Sequence, residues 1–129
     1  AAGICDGLGL GNNAAAALIS RGLVEMQRFG VYYGAQTETF TGLGGAGDLF
    51  LTASSVMSRN FRVGLGLSKG KTQEEILDDL GEVAEGIGTA YALHEISMTK
   101  DLYLPIANEV YAMLEGKNPQ ESLRDLLSK

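Results

Sequence analysis

The stretch FRVGLGLSKGKTQEEILDDL, residues 61–80, decides the fold class, because it contains two helical segments and the signals that separate them. Gly70 is suited to end the first helix. Thr72 followed by Glu75 is the pattern of a capping box, which begins the second helix. Apolar residues then recur at helical spacing behind this cap: Ile76, Leu77 and Leu80. The stretch therefore predicts two consecutive helices joined by a short turn.

Helical periodicity continues on both sides of this stretch. Toward the N-terminus, a helix is predicted over about residues 12–29, with three apolar residues on one face: Ile19, Leu23 and Met26. Toward the C-terminus, four residues share the face of another helix: Ile87, Tyr91, His94 and Met98. Pro105 suits the first position of a further helix, which Gly116 would end. Asn118 opens the last helix, whose three leucines are expected to face inward: Leu123, Leu126 and Leu127.

Sustained strand alternation is absent from the sequence, and the best strand candidate, residues 50–53, is short. We therefore predict an all-α, multi-helix domain of about seven or eight helices that takes in residues 1–129 as one unit. Gly7, Gly9 and Gly11 alternate near the N-terminus. They indicate either a tight turn between two helices or a place where the backbone approaches a ligand.

The composition excludes several classes of protein. Hydrophobic residues make up 45% of the 129 residues and charged residues 20%, which is not the composition of a disordered chain. Sixteen acidic against ten basic residues give a net charge of −6, so no broad basic surface is expected for nucleic acid. No apolar run reaches the roughly 20 residues of a membrane-spanning helix.

Cysteine and histidine are too few for disulfide or metal chemistry. Cys5 is the only cysteine, so no internal disulfide can form, and we expect a reducing, cytoplasmic location. No Cys/His cluster exists, so no metal site is predicted. His94 is the only histidine, and we interpret it as a core residue rather than a catalytic base. The chain starts at Ala1 on an apolar stretch, and we expect an N-terminal part to be missing.

Two glycine patterns resemble nucleotide motifs, but their surroundings do not fit. Residues 42–47 match G-x-G-x-x-G, although a dinucleotide fingerprint needs a preceding strand, and this stretch has none. We interpret it as a junction where backbones approach closely. The sequence from Gly70 to Thr72 resembles the end of a phosphate-binding loop, but position 65 is Leu where that loop needs Gly.

Two polar groups of residues are candidates for a site. Asp48 and Thr52 would share a helix face and could hold a hydroxyl or ammonium group, although Asp48 could equally be a helix cap. Ser58, Arg59 and Asn60 precede an apolar helix over residues 61–67. The N–H groups of a helix start and an arginine fork suit an anion such as phosphate. The alternative is a Ser or Asn cap beside a solvated arginine.

The order of these motifs resembles a known family. The segments AAGICDGLGLGNN, TFTGLGGAGDLFLTASSVMSRNFRVGLGL, VAEGIGTAYAL and LPIANEVYAMLEGKNPQESLRDLL together resemble the C-terminal domain of bacterial NAD(P)-dependent sn-glycerol-3-phosphate dehydrogenases. The match covers essentially the whole chain, and the G-x-G-D-L, T and S-R-N block is its most specific part. Asn12 and Ala15 depart mildly from the family pattern, and no role is carried onto them.

The resemblance implies a fold and an activity. The fold would be a helical domain similar to the C-terminal domain of 6-phosphogluconate dehydrogenase. An N-terminal Rossmann domain, absent from this chain, would bind most of the NAD or NADP. The family reduces dihydroxyacetone phosphate to glycerol 3-phosphate reversibly, for glycerophospholipid synthesis in the cytoplasm, and a homodimer is expected. The fragment alone is expected to be inactive.

The resemblance also implies roles for individual residues. The family's catalytic lysine would lie just upstream of Ala1. Asp48 and Thr52 match catalytic-site positions, and Asp48 also matches a substrate contact. The remaining matches are Ser58, Arg59 and Asn60 to the substrate, and Arg59, Val83 and Glu85 to the cofactor. Two alternatives stay open: a helical domain of another NAD(P)-dependent hydroxyacid dehydrogenase, and a helical interaction module without catalytic function.

Overall fold

The computed structural model describes residues 2–34, 59–81 and 85–127. These residues form seven helices and contain no strand, which confirms the prediction of an all-α domain. The helices are α1 (Ala2–Gly7), α2 (Gly11–Tyr32), α3 (Arg59–Ser68), α4 (Gln73–Leu80), α5 (Glu85–Lys100), α6 (Pro105–Leu114) and α7 (Pro119–Leu127). The strand candidate at residues 50–53 and the glycine run at residues 42–47 lie outside the described residues.

The helix-start signals act as the sequence predicts. The Glu75 N–H donates to Thr72 Oγ1 over 3.2 Å, and the Thr72 N–H donates to Glu75 Oε1 over 3.3 Å. This is a complete capping box at the start of α4. Pro105 occupies the start of α6, and the Asn118 side chain accepts two backbone hydrogen bonds at the start of α7.

The glycines between α1 and α2 form a tight turn, which is one of the two interpretations that the sequence left open. Gly9 has φ of 71° and Gly11 has φ of 86°, and both values lie in the left-handed region that favours glycine. The Gly9 N–H donates to the Asp6 carbonyl over 3.0 Å. Three residues therefore suffice to reverse the chain between the two helices.

The core lies where α1, α3 and α4 meet α5 and α6. Its buried members come from all five helices: Ile4, Val63, Leu67, Ile76, Ala90, Met113 and Leu114. Glycine allows close helix approaches in this core, because a Cβ on Gly64 would lie 2.8 Å from the backbone nitrogen of Ile4. A Cβ on Gly66 would lie 2.7 Å from Ile76 Cγ1. Gly64 and Gly66 thus allow α3 to pack closely against α1 and α4.

A buried carboxylate joins α2 to the start of α6. Glu25 accepts hydrogen bonds from the N–H groups of Ile106 and Ala107, over 2.7 and 2.8 Å. These N–H groups have no partner inside their own helix, so Glu25 supplies the cap that Leu104 cannot provide. Burial raises the pKa of the Glu25 carboxyl, although the two hydrogen bonds and Arg28 act in the opposite direction.

Two methionines on the predicted helix faces are exposed, and one helix begins earlier than predicted. Met26 and Met98 lie on the predicted apolar faces, but 44% and 69% of their surfaces are exposed. Periodicity shows which residues share a face but not how far along the helix its partners extend. The helix predicted over residues 61–67 begins earlier, at Arg59, so Arg59 and Asn60 belong to its first turn.

Candidate substrate and cofactor site

The first turn of α3 carries two of the predicted substrate residues. Arg59 and Asn60 are both exposed, and α3 has no acidic residue in its first turn. The first N–H groups of a helix lack intrahelical acceptors and lie at the positive end of its dipole. An arginine and an asparagine at this position therefore add donors where a negatively charged group is already favoured.

Asn60 joins this turn to the start of α5. Its side-chain oxygen Oδ1 accepts a hydrogen bond from the Gly86 N–H over 2.8 Å. Glu85 and Gly86 are the first two residues of α5, so the N-termini of two helices lie side by side. A Cβ at position 86 would overlap the Asn60 side chain, so a larger residue there would displace Asn60 from this hydrogen bond.

The same bond sets the orientation of the Asn60 amide. Because Oδ1 accepts from Gly86, the Nδ2 group is left as a donor, and it donates to no acceptor among residues 2–34, 59–81 and 85–127. An exposed amide donor beside Arg59 is suited to contact a ligand oxygen. The hydrogen bond to Gly86 and the ligand contact thus use two different atoms of the Asn60 amide.

A cavity of about 140 Å³ lies against this contact. Apart from Asn60, its walls are apolar side chains and glycines, and they include Val63, Ile87 and Leu114. Such a lining does not compensate a buried charge. A charged ligand group would therefore lie on the exposed side of Asn60, next to Arg59, and not inside the cavity.

The structure brings together some of the predicted site residues. Arg59 and Asn60 lie beside the start of α5, where Glu85 is the first residue. The other predicted site residues lie outside the described part of the chain: Asp48, Thr52, Ser58 and Val83. Sequence reasoning missed Gly86. The available signal was the Glu85-Gly86 pair at the start of a helix, but only the structure shows that Asn60 contacts it.

His94 belongs to a structural network and is half-buried. Its ring stacks on Tyr111 with the ring centroids 3.6 Å apart, and its Nδ1 lies 3.0 Å from Asn108 Oδ1. Asn108 Nδ2 donates to Ser97 Oγ, which donates to the Leu102 carbonyl. Asn108 therefore presents its oxygen to the His94 ring. His94 therefore has a structural role in this network, but it is only half-buried and is not among the buried core residues, so its interpretation as a core residue is not confirmed.

The described residues contain neither a metal-ion cluster nor a membrane-spanning helix. No group of three or more Cys, His, Asp or Glu side chains lies close enough there to hold a metal ion. Among the seven helices of the described residues, none combines the length and apolar character needed to cross a membrane.

A known family matches nearly the whole chain. The family described as the C-terminus of NAD-dependent glycerol-3-phosphate dehydrogenase matches residues 1–124. The chain belongs to this family. The resemblance drawn from the sequence is thereby confirmed, and the interaction-module alternative loses its support.

Relatives of this glycerol-3-phosphate dehydrogenase C-terminal domain agree with the assignment. Glycerol-3-phosphate dehydrogenase [NAD(P)+] of Sulfurimonas denitrificans is 73% identical over 99% of the chain, and that of Helicobacter pylori is 58% identical over the whole chain. The crystal structure of glycerol-3-phosphate dehydrogenase from Coxiella burnetii matches 99% of the chain with a TM-score of 0.92 and 40% identity. The chain spans 43%, 41% and 40% of these three proteins, respectively.

Proposed function

We propose that the chain is the substrate-binding and catalytic-site domain of an NAD(P)-dependent glycerol-3-phosphate dehydrogenase. The reaction interconverts sn-glycerol 3-phosphate and dihydroxyacetone phosphate. The observation that carries the proposal is the hydrogen bond between Asn60 Oδ1 and the Gly86 N–H. This bond supports the proposal, because it connects a residue proposed to bind substrate with the helix start proposed to face the cofactor.

The donors at the start of α3 fit a phosphate group. The Arg59 guanidinium can give two parallel hydrogen bonds to phosphate oxygens, and Asn60 Nδ2 can give a third. Binding energy from the phosphate is then available to orient the carbon that reacts, although the phosphate itself does not change. In this scheme Arg59 and Asn60 hold the substrate, and Ser58 contributes a further contact.

The residues at the start of α5 are proposed to face the cofactor. A nicotinamide cofactor supplies the hydride when it is bound. In our proposal Val83, Glu85 and Arg59 contact it, while a Rossmann domain outside this chain holds most of it. The Asn60–Gly86 bond supports this arrangement, because it keeps Arg59 within reach of both ligands.

The chemical step is proposed to use residues outside the described part of the chain. Negative charge develops on the substrate oxygen as hydride reaches the carbonyl carbon. A protonated lysine upstream of Ala1, oriented by Asp48, would stabilise that oxygen and deliver the proton. Thr52 is proposed to hydrogen-bond beside Asp48.

The setting of the reaction is part of the same proposal. The relatives are more than twice the length of this chain, which supports an additional N-terminal domain in the complete enzyme. We propose that this enzyme acts in the cytoplasm as a homodimer and supplies glycerol 3-phosphate for glycerophospholipid synthesis. The preference between NAD and NADP would be decided in the N-terminal domain.

The test uses the full-length enzyme and follows NAD(P)H oxidation with dihydroxyacetone phosphate as substrate. Arg59→Ala removes charge-assisted hydrogen bonds of about 1.5–3 kcal/mol each, so kcat/KM should fall at least about a hundredfold. Arg124→Ala, an exposed arginine on α7, is the matched control and should retain normal activity. Near-normal activity of Arg59→Ala would contradict the phosphate contact.

The remaining alternative is a hydroxyacid dehydrogenase with a carboxylate substrate. Asn60→Asp tests the phosphate contact, because it keeps an oxygen for the Gly86 N–H but replaces the amide donor with a charge that repels phosphate. We expect Asn60→Asp to raise KM for dihydroxyacetone phosphate about tenfold or more. A parent enzyme that prefers a carboxylated to a phosphorylated triose would favour the alternative.

A further inference from the structure

Two further cavities meet at Arg21 on α2. The larger lies between α1, α2, α6 and α7 and has a volume of about 230 Å³. The smaller, of about 200 Å³, lies between α2, the start of α6 and one leucine of α7. Three residues line both cavities, so the two adjoin: Arg21, Ile106 and Leu126. No predicted substrate or cofactor residue lines either of them.

The larger of the two is an apolar cavity that opens to the surface. Most of its lining side chains are aliphatic, and they include Ile4, Leu18 and Met113. Leu10 and Ala17 also line it and are exposed, so the opening lies along α2. An apolar cavity of about 150 Å³ holds one benzene molecule. By the same proportion, this cavity has room for an apolar tail of about eight carbons.

The smaller of the two is an arginine cavity with a net positive charge. Arg28 Nη1 donates to the Tyr103 carbonyl over 2.7 Å, and the guanidinium carbon lies 5.1 Å from the centre of the Tyr103 ring. Both of these partners are uncharged, so they do not cancel the charge of Arg28. Arg21 is exposed and has no ion-pair partner among the described residues.

Glu25 is the single carboxylate of this lining, and it is already bound. Both of its oxygens accept backbone hydrogen bonds at the start of α6, where the helix dipole favours a negative charge. Two arginines against one carboxylate leave a net positive charge of one unit on the lining. This stands out in a chain whose net charge is −6.

The one carboxylate of the apolar cavity is paired as well. Glu109 is buried, and its carboxylate accepts from Lys117 Nζ over 3.0 Å. Lys117 also bonds Asp125 over 2.6 Å, but that side chain lies outside both linings and is 45% exposed, so solvent screens its charge. Arg21 therefore carries the uncompensated charge at the place where the two cavities meet.

We infer that these two cavities bind a medium-chain fatty acid, with its tail in the apolar cavity and its carboxylate at Arg21, on the side of the arginine cavity. The single charge of a carboxylate matches the net charge of that lining. A guanidinium group can give a carboxylate two parallel hydrogen bonds. The tail removes apolar surface from water, which favours binding by about 0.8 kcal/mol for each buried methylene. The site uses no residue of the proposed reaction and does not depend on it.

Octanoate, 1-octanol and acetate are matched probes for this inference. Relative to octanoate, 1-octanol keeps the tail without the charge, and acetate keeps the charge without the tail. Binding to the full-length enzyme at about pH 7.5, where a carboxylate is ionised, is measured from the NMR shift of the Met113 methyl group. We expect a saturable shift with octanoate, at least about fivefold weaker binding of 1-octanol, and no shift with acetate.

Substitution of Arg21 tests the charged contact. Arg21→Gln should weaken octanoate binding at least about fivefold and leave 1-octanol binding unchanged, because only octanoate has a charge to lose. Arg124→Gln is the matched control, since Arg124 is exposed on α7 and lines neither cavity. Arg59→Ala should also bind octanoate normally, which separates this site from the proposed phosphate contact.

Two alanines on α2 test the location of the tail. Ala17→Leu at the exposed opening should abolish binding of octanoate and 1-octanol, whereas Ala16→Leu, exposed on the same helix but outside the lining, should not. Thermal unfolding checks that every variant is folded. The inference is wrong if octanoate gives no saturable shift, if 1-octanol binds as tightly as octanoate, if Ala17→Leu still binds, or if Arg21→Gln leaves octanoate affinity unchanged.

Discussion

The side-chain oxygen of Asn60 accepts the backbone hydrogen bond of Gly86 over 2.8 Å, and these two residues lie 26 positions apart in the chain. One contact thus connects the first turns of α3 and α5. It also gives the Gly86 N–H an acceptor and leaves the Asn60 Nδ2 group as a donor. The proposed substrate and cofactor contacts therefore share one structural support.

Gly86→Ala tests this support directly. The new Cβ would overlap the Asn60 side chain and displace it, so we expect kcat/KM for dihydroxyacetone phosphate to fall about tenfold or more. Gly88→Ala is the control on the same helix, because a Cβ there meets nothing within 4 Å. Enzyme assays of both variants should separate them, and equal activities would show that the Asn60–Gly86 contact does not position the site.

The crossing of α1 and α3 predicts a stability difference between two glycines. A Cβ on Gly64 would lie 2.8 Å from the Ile4 nitrogen, and backbone there cannot move aside without shifting α1. Gly64→Ala should lower the free energy of unfolding by about 1–3 kcal/mol. Gly22→Ala, inside α2 with open space around it, should raise it by about 0.5–1 kcal/mol. Denaturant unfolding measures both, and a stabilised Gly64→Ala variant would contradict the close crossing.

Loss of the Glu25 side chain should destabilise the start of α6. Glu25→Ala leaves the N–H groups of Ile106 and Ala107 buried without acceptors, at a cost of about 2–4 kcal/mol in the free energy of unfolding. Denaturant unfolding at pH 7 measures this cost. A loss below about 0.5 kcal/mol would mean that water replaces the carboxylate.

Glu25 should also contribute a pH dependence of known sign. Burial raises its pKa in the folded chain above the ordinary value of 4.5, so the folded state binds this proton more tightly than the unfolded state. The contribution of Glu25 to the free energy of unfolding therefore decreases as the pH rises from about 4.5 through the folded pKa. Glu25→Gln removes this titration. The free energy of unfolding of the wild type minus that of Glu25→Gln should therefore decrease over that pH range. A difference that grows with pH would contradict the raised pKa.

Local signals predicted much of the helical framework. Thr72 with Glu75, Pro105 and Asn118 each begin a helix as predicted, because caps and first-turn residues act within a few positions of the chain. The exposure of Met98 and the burial of Glu25 were not predictable in this way. Both depend on where a distant helix lies, and periodicity contains no information about that.

The same distinction between local signals and tertiary packing applies to the candidate site. Ser58, Arg59 and Asn60 could be proposed from the sequence, since an arginine and two polar residues before an apolar helix have a local chemical meaning. The sequence by itself thus determined the helices, their ends and the donors at the start of α3. Only the tertiary structure decided that Asn60 turns its oxygen to Gly86 and that Ser122 is buried. The physical reason is that these groups meet atoms from remote segments, and such distances are set by the packing of all the helices together.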